Sequence, residues 1–73
     1  MDFNKEDRVI LTATTYKDCH SNPKFNTKFM CEGTIKSVTV ANSVTVLWDN
    51  GRINYYMTED LTLVDKKQYN SIW

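Results

Sequence analysis

The residues of this chain that could do chemistry are few, and three of them lie close together. Cys19 and His20 are adjacent and Cys31 follows, so the sequence offers three potential zinc ligands. A closed structural zinc site needs four ligands, and no fourth stands at a finger-like spacing. His20 is the only histidine, and no partner that would orient it for a Cys-His or Ser-His-Asp nucleophile is evident. We therefore predict no catalytic residue, no metal and no cofactor, and a protein that is not an enzyme.

The length and the net charge of the chain restrict the possible functions further. The 73 residues allow a single domain, residues 1–73, with a modest core. Nine Lys plus Arg balance nine Asp plus Glu, so no overall field draws the protein to nucleic acid or to an anionic membrane. The sequence has no apolar run long enough to span a bilayer and no signal peptide. We expect a cytoplasmic protein with reduced cysteines and no membrane partner.

The polar stretch at residues 15–28 is the best candidate for a binding surface. A loop this long in so small a domain is usually functional or poorly ordered. It interleaves three lysines and one aspartate with aromatic residues, namely Lys17, Asp18, Lys24 and Lys28 with Tyr16, Phe25 and, next to it, Phe29. Lysines select acidic groups or phosphates, and aromatic faces supply contact area or base stacking. The predicted partner-binding residues are Tyr16, Lys24, Phe25, Lys28, Tyr56 and Trp73.

The elements that would position this loop are short β-strands. Alternating apolar residues bounded by turn residues predict strands at residues 8–14, 29–39, 44–49, 52–57 and 61–64. Gly33 indicates a bulge or a sharp bend in the second strand. The pattern is that of an all-β protein, a small, strongly bent five-stranded barrel with a long first loop.

The hairpin around Asn50-Gly51 has two possible registers. A two-residue loop opposes Trp48 to Ile53, Val46 to Tyr55 and Val44 to Met57. A three-residue loop with Gly51 in a bulge instead opposes Trp48 to Arg52 and Val44 to Tyr56. We favour the first register, because it separates apolar from polar residues and brings Asp49 opposite Arg52 as a charge pair. In both registers Trp48 is predicted to lie in the core, and Tyr55 and Tyr56 point to opposite faces.

The hairpin also resembles a known domain. Val44-x-Val-x-Trp-Asp-Asn-Gly-x-x-Asn-x-Tyr56, followed by Asp60-Leu61-x-Leu-Val64, is similar to the C-terminal half of the mind bomb/HERC domain of some ubiquitin ligases. Asp7-Arg8-Val9 and Gly33-Thr34-Ile35 are similar to its beginning. The resemblance implies an SH3-like barrel, related in shape to Tudor modules, that binds peptides. Residues 15–28 replace the tryptophan- and glycine-rich first loop usual in that domain. Tudor-type barrels also suggest an aromatic cage near Tyr16.

The tail at residues 65–73 carries a second candidate surface. Tyr69, Ile72 and Trp73 share one side of a helical turn at i, i+3 and i+4 spacing. This turn either covers an open edge of the chain's own barrel or inserts Trp73 into a second copy or another protein.

These patterns together predict a non-enzymatic binding module that docks a protein or peptide through aromatic residues and the basic long loop. The alternative is a nucleic-acid-binding adaptor that uses the same loop. We expect a monomer or a weak homodimer, and a free-standing barrel of this kind would suit a bacteriophage accessory protein.

Overall fold

Residues 3–64 are described by a computed structural model, and they form a single antiparallel sheet. Its strands are β1 (Arg8–Leu11), β2 (Gly33–Val38), β3 (Ser43–Trp48), β4 (Ile53–Met57) and β5 (Leu61–Leu63), with a 3-10 turn (Thr58–Asp60) between β4 and β5. The order across the sheet is β4-β3-β2-β1-β5. The predicted all-β class and five strands are thus confirmed. The predicted tail turn at residues 65–73, with Trp73, lies outside the described residues.

The sheet is curled. Its two outer strands, β4 and β5, are connected only by the 3-10 turn. A flat five-stranded sheet would hold its outer strands about 19 Å apart, whereas the chain from Met57 to Leu61 spans at most about 14 Å. The two edges must therefore approach each other at this end. Among residues 3–64 no ladder joins β4 to β5, so these residues form a curled sheet and not a fully hydrogen-bonded barrel.

The concave side of the sheet holds the core. Val44, Val46 and Trp48 alternate along β3 and are at most 1% exposed, which confirms the prediction that Trp48 is a core residue. The other buried members are Phe3, Val9, Leu11, Ile35, Tyr56 and Leu61. Burying a large apolar side chain contributes roughly 1.5–3 kcal/mol, so this cluster is the main source of stability for a domain of this size.

The first two strands are shorter than predicted. β1 ends at Leu11 because the next two backbone N–H groups, those of Thr12 and Ala13, both donate to the Asp60 carbonyl at 3.1 Å. β2 begins only at Gly33, so residues 29–32 belong to the loop. The irregularity in this strand lies between Ile35 and Ser37 and not at Gly33.

Gly33 has a different role from the predicted one. A Cβ at this position would lie 2.5 Å from Val46 Cγ1 and 2.7 Å from Trp48 Cε3. These distances are far shorter than a normal carbon–carbon contact of about 3.5–4.0 Å. A glycine is therefore required because the core of β3 packs directly against the backbone of β2.

The favoured hairpin register is wrong, and the three-residue alternative is the observed one. Val44 pairs with Tyr56 and Thr45 with Tyr55, while the Trp48 N–H donates to the Arg52 carbonyl at 2.7 Å. The reason is the turn: Gly51 has φ of 93°, the left-handed conformation that completes a three-residue loop. A shift of one residue reverses the two faces of a strand. Tyr56 consequently points into the core.

The expected ion pair between Asp49 and Arg52 is also replaced. Asp49 accepts from Arg8, whose Nη1 lies 2.9 Å from Asp49 Oδ1. The same guanidinium donates to Thr34 Oγ1 at 2.7 Å and to Glu32 Oε1 at 3.2 Å. The hydrogen bond from Arg8 lowers the pKa of Asp49, and the bonds to Asp49 and, less strongly, to Glu32 raise that of Arg8. Arg8 thereby ties β1 to β2 and to the hairpin turn.

Candidate binding surfaces

The long loop, which in the structure extends over residues 12–32 between β1 and β2, is held along β4 by hydrogen bonds from side chains of the hairpin. Asn50 Nδ2 donates to the His20 carbonyl at 2.8 Å, and Asn54 Nδ2 donates to the Ser21 carbonyl at 3.0 Å. Beside this contact Pro23 is fully buried. These bonds fix the backbone path of the loop, which is the precondition for a preorganised binding surface.

The Tyr56 hydroxyl connects the loop to the core. It accepts a hydrogen bond from Trp48 Nε1 at 3.1 Å. It lies 2.7 Å from both the Ser21 carbonyl oxygen and Asn22 Oδ1, and it donates its proton to one of them. Burial raises the pKa of Tyr56. With 2% of its surface exposed, Tyr56 acts as an internal anchor, and its ring offers almost no area to a partner.

Tyr16 packs next to this anchor. Its ring meets that of Tyr56 edge to face, with 5.2 Å between the ring centroids, and its hydroxyl donates to Asp60 Oδ2 at 2.8 Å. That hydrogen bond, with desolvation, raises the pKa of Tyr16 to about 12. The edge of one ring packs against the face of the other, so these two rings do not line an open aromatic cage. The structure thus brings these two predicted site residues together, with Tyr56 buried in the core and Tyr16 partly buried against it.

The remaining predicted loop residues are more accessible. Phe25 is 44% exposed, and Met30 of the same loop, which sequence reasoning did not select, is 50% exposed. Lys28 is exposed, and its Nζ lies 5.3 Å from the centre of the Phe29 ring. Lys24 is half-buried and donates from Nζ to the Thr14 carbonyl at 3.3 Å. This outer side of the loop combines apolar surface with positive charge. Trp73 lies outside the described residues.

A second surface follows from the corrected register. Ile53, Tyr55 and Met57 project from the convex side of β4 and are 57%, 69% and 42% exposed. Their cross-strand neighbours on β3 are all uncharged, namely Leu47, Thr45 and Ser43. We call the three β4 residues the apolar row. The favoured sequence register had assigned them to the core, and no local signal pointed to them, because Asn-Gly is most typical of the two-residue loop that gives that register.

The outward backbone groups of β4 are partly satisfied from within the chain. Hydrogen-bonded and non-hydrogen-bonded residue pairs alternate along an antiparallel ladder. Because Trp48 and Arg52 form a hydrogen-bonded pair, the N–H groups of Tyr55 and Met57 point away from β3. The Tyr55 N–H donates to Asn54 Oδ1 at 2.9 Å, and the Met57 N–H to Asp60 Oδ2 at 3.1 Å. The apolar row therefore presents side chains more than backbone.

The geometry defines an all-β protein with two exposed surfaces, the outer loop and the apolar row. Comparison with protein-family models, with curated proteins and with solved structures gives no match. Between residues 3 and 64, no helix has the length and apolar character needed to cross a membrane. In the same part of the chain Cys19 and Cys31 are free thiols, and no three His, Cys, Asp or Glu side chains are grouped as metal ligands.

Proposed function

We propose that this protein is a non-enzymatic binding module that docks a protein or peptide through the outer side of its long loop. The observation that carries the proposal is a loop anchored by Asn50, Asn54 and Tyr56 that still exposes Phe25 and Met30. An anchored loop loses little conformational entropy when a partner binds. Exposed aromatic and methionine side chains are typical of interface anchors.

The charge on the loop favours an acidic partner. Lys28 is exposed beside Phe29, so a carboxylate that approaches the ring would meet a cation at its rim. Rim charges of this kind mainly raise the association rate and select the partner, while the apolar contacts hold it. The preferred ligand is thus a peptide segment that combines acidic and apolar residues.

A nucleic-acid ligand is the second candidate, and the geometry favours it less. Single-stranded nucleic acid needs exposed ring faces for stacking, each contributing about 1–3 kcal/mol. The Phe29 ring is already in contact with His20, at 4.7 Å between ring centroids, and with Lys28. Phe25 remains as an exposed phenylalanine ring of the loop. One stacking platform with few lysines would give weak binding.

A peptide-display selection against the immobilised full chain tests the proposal. Selected peptides should be rich in acidic and apolar residues and should lose binding to Phe25→Ser and Lys28→Glu. Lys5→Glu changes the net charge equally at an exposed turn outside the loop, and it should leave binding unchanged. Selection of no sequence, or equal loss with Lys5→Glu, would contradict docking through the loop.

The same proteins distinguish the nucleic-acid alternative. A fluorescent single-stranded oligonucleotide is titrated at several salt concentrations against the wild type and against Lys24→Ala with Lys28→Ala. If the loop binds nucleic acid, the double substitution should reduce the salt slope by about 1.4 units, because each phosphate neutralised on a single strand contributes about 0.7. A peptide-binding loop predicts no oligonucleotide signal in either protein.

A further inference from the structure

The apolar row on β4 has no function in the binding proposed for the loop, and its size limits what covers it. With about 200 Å² for a fully exposed side chain of this size, the exposed fractions of Ile53, Tyr55 and Met57 leave roughly 350 Å² uncovered. A stable dimer needs about 800 Å² from each subunit. The row by itself is too small for that and corresponds to the footprint of a short segment.

The groups in and around the apolar row further limit the kind of segment that could bind to it. The facing residues on β3 are uncharged, so a charged occupant would lose hydration without gaining a counter-ion. The N–H groups of Tyr55 and Met57 are already bonded to side chains of this chain, so an occupant gains little by adding a strand here. It must contribute a few bulky apolar side chains.

The chain contains a segment of this composition. Residues 65–73 carry Tyr69, Ile72 and Trp73, and the charged side chains of the segment, Asp65, Lys66 and Lys67, all stand at its start. Three apolar residues would thus face a row of three. Association of this kind buries apolar area on both sides, which is its driving force.

The point at which this segment leaves the sheet is compatible with its reaching the row. The Val64 N–H donates to the Arg8 carbonyl at 2.9 Å. Arg8 pairs with Thr34, Thr34 with Leu47, and Leu47 with Ile53, so Val64 and Ile53 lie at the same level of the sheet. Four strand spacings put them at most about 20 Å apart. The residues from 65 to 73 can extend to about 30 Å.

We infer that the segment 65–73 docks its apolar residues onto the apolar row of the same chain. The row is separate from the outer loop, so this docking holds whether or not the loop binds a peptide.

Fluorescence of the full-length chain tests this docking. Trp48 is buried, so the difference between the chain and its Trp73→Phe variant isolates the emission of Trp73. In the native chain Trp73 should be shielded from acrylamide, to the same degree at all protein concentrations. Tyr55→Ser should weaken docking by about tenfold, the equivalent of the apolar burial it removes, and Ile53→Ser should act in the same direction. Both positions are more than half exposed, and circular dichroism would verify that the variants are folded.

Met30→Ser is the matched control, because it removes a half-exposed apolar side chain from the loop. It should leave the shielding of Trp73 unchanged. Three results would overturn the inference: a Trp73 as accessible in the native chain as in Tyr55→Ser, shielding that Met30→Ser reduces as much as Tyr55→Ser, or shielding that increases with concentration. The last would identify a second copy as the occupant.

Discussion

Gly33→Ala is expected to be among the most destabilising single-atom additions in this domain. The new Cβ would lie 2.5 Å from Val46 Cγ1 and 2.7 Å from Trp48 Cε3. Both side chains are fully buried, so neither can move towards solvent. Overpacking of a core costs about 1–3 kcal/mol, and two simultaneous overlaps place this variant near 3 kcal/mol. At 4–8 °C per kcal/mol for a domain of this size, the melting temperature should fall by roughly 12–24 °C.

Gly51→Ala is the natural control, because it adds the same methyl group where there is space. Nothing lies within 4 Å of a Cβ at Gly51, but its φ of 93° makes any side chain strained. That strain should cost about 1 kcal/mol. Urea unfolding of both variants, followed by far-ultraviolet circular dichroism, gives the comparison. Equal destabilisation of the two variants would refute the close approach of β2 to β3.

A second substitution separates steric overlap from other effects at Gly33. Val46→Ala removes the atom closest to the added Cβ. The two changes should therefore be less destabilising together than the sum of their separate effects, which a double-mutant cycle measures. This also protects the test if Gly33→Ala alone is too unstable to purify. Strict additivity would show that Val46 is not the obstacle.

Three further predictions concern hydrogen bonds. Tyr56→Phe should cost about 1–3 kcal/mol by urea unfolding, because it leaves a buried indole N–H without its acceptor; a neutral result would contradict the anchor. The hydrogen bond to Asp60 raises the pKa of Tyr16 to about 12, so the stability that the protonated Tyr16 hydroxyl contributes is complete below pH 10 and disappears as the pH rises through 12. Between pH 9 and pH 12 the melting temperature of Tyr16→Phe should therefore fall less steeply than that of the wild type. Arg8 lowers the pKa of Asp49, so the stability contributed by the ionised Asp49 is present above about pH 4 and is lost as the pH falls through its folded-state pKa. Asp49→Asn should therefore make the free energy of unfolding less dependent on pH in the acid range. An unchanged pH dependence would argue against the ion pair of Asp49 with Arg8.

The local pattern of the sequence was sufficient for the strands and for much of the core. Alternation along β3 identified Val44, Val46 and Trp48 as buried, and Asn50-Gly51 located the hairpin. Each of these features depends on residues that are neighbours in the chain. The all-β class could be predicted for the same reason.

The hairpin register could not be decided by the same reasoning. Sorting apolar from polar residues disfavoured an inward Tyr56 with its hydroxyl group. In the structure that hydroxyl is satisfied by the loop near Ser21, far away in sequence. Asp49 likewise pairs with Arg8 at the other end of the chain and not with nearby Arg52. Contacts between residues far apart in the sequence determined both the register and the ion pair. The apolar row could be identified only once the register was known.

The side-chain amide of Asn54 has a consequence for the solubility of the protein. Edge strands normally avoid aggregation through lysines, prolines or twists, because a bare edge recruits strands from other molecules. On β4, Asn54 and Asp60 occupy donors that an incoming strand would need. A protected edge can carry bulky apolar side chains without becoming a template for fibril growth. Asn54 and Asp60 thus lower the risk that an outermost strand carrying Ile53, Tyr55 and Met57 recruits strands from other molecules.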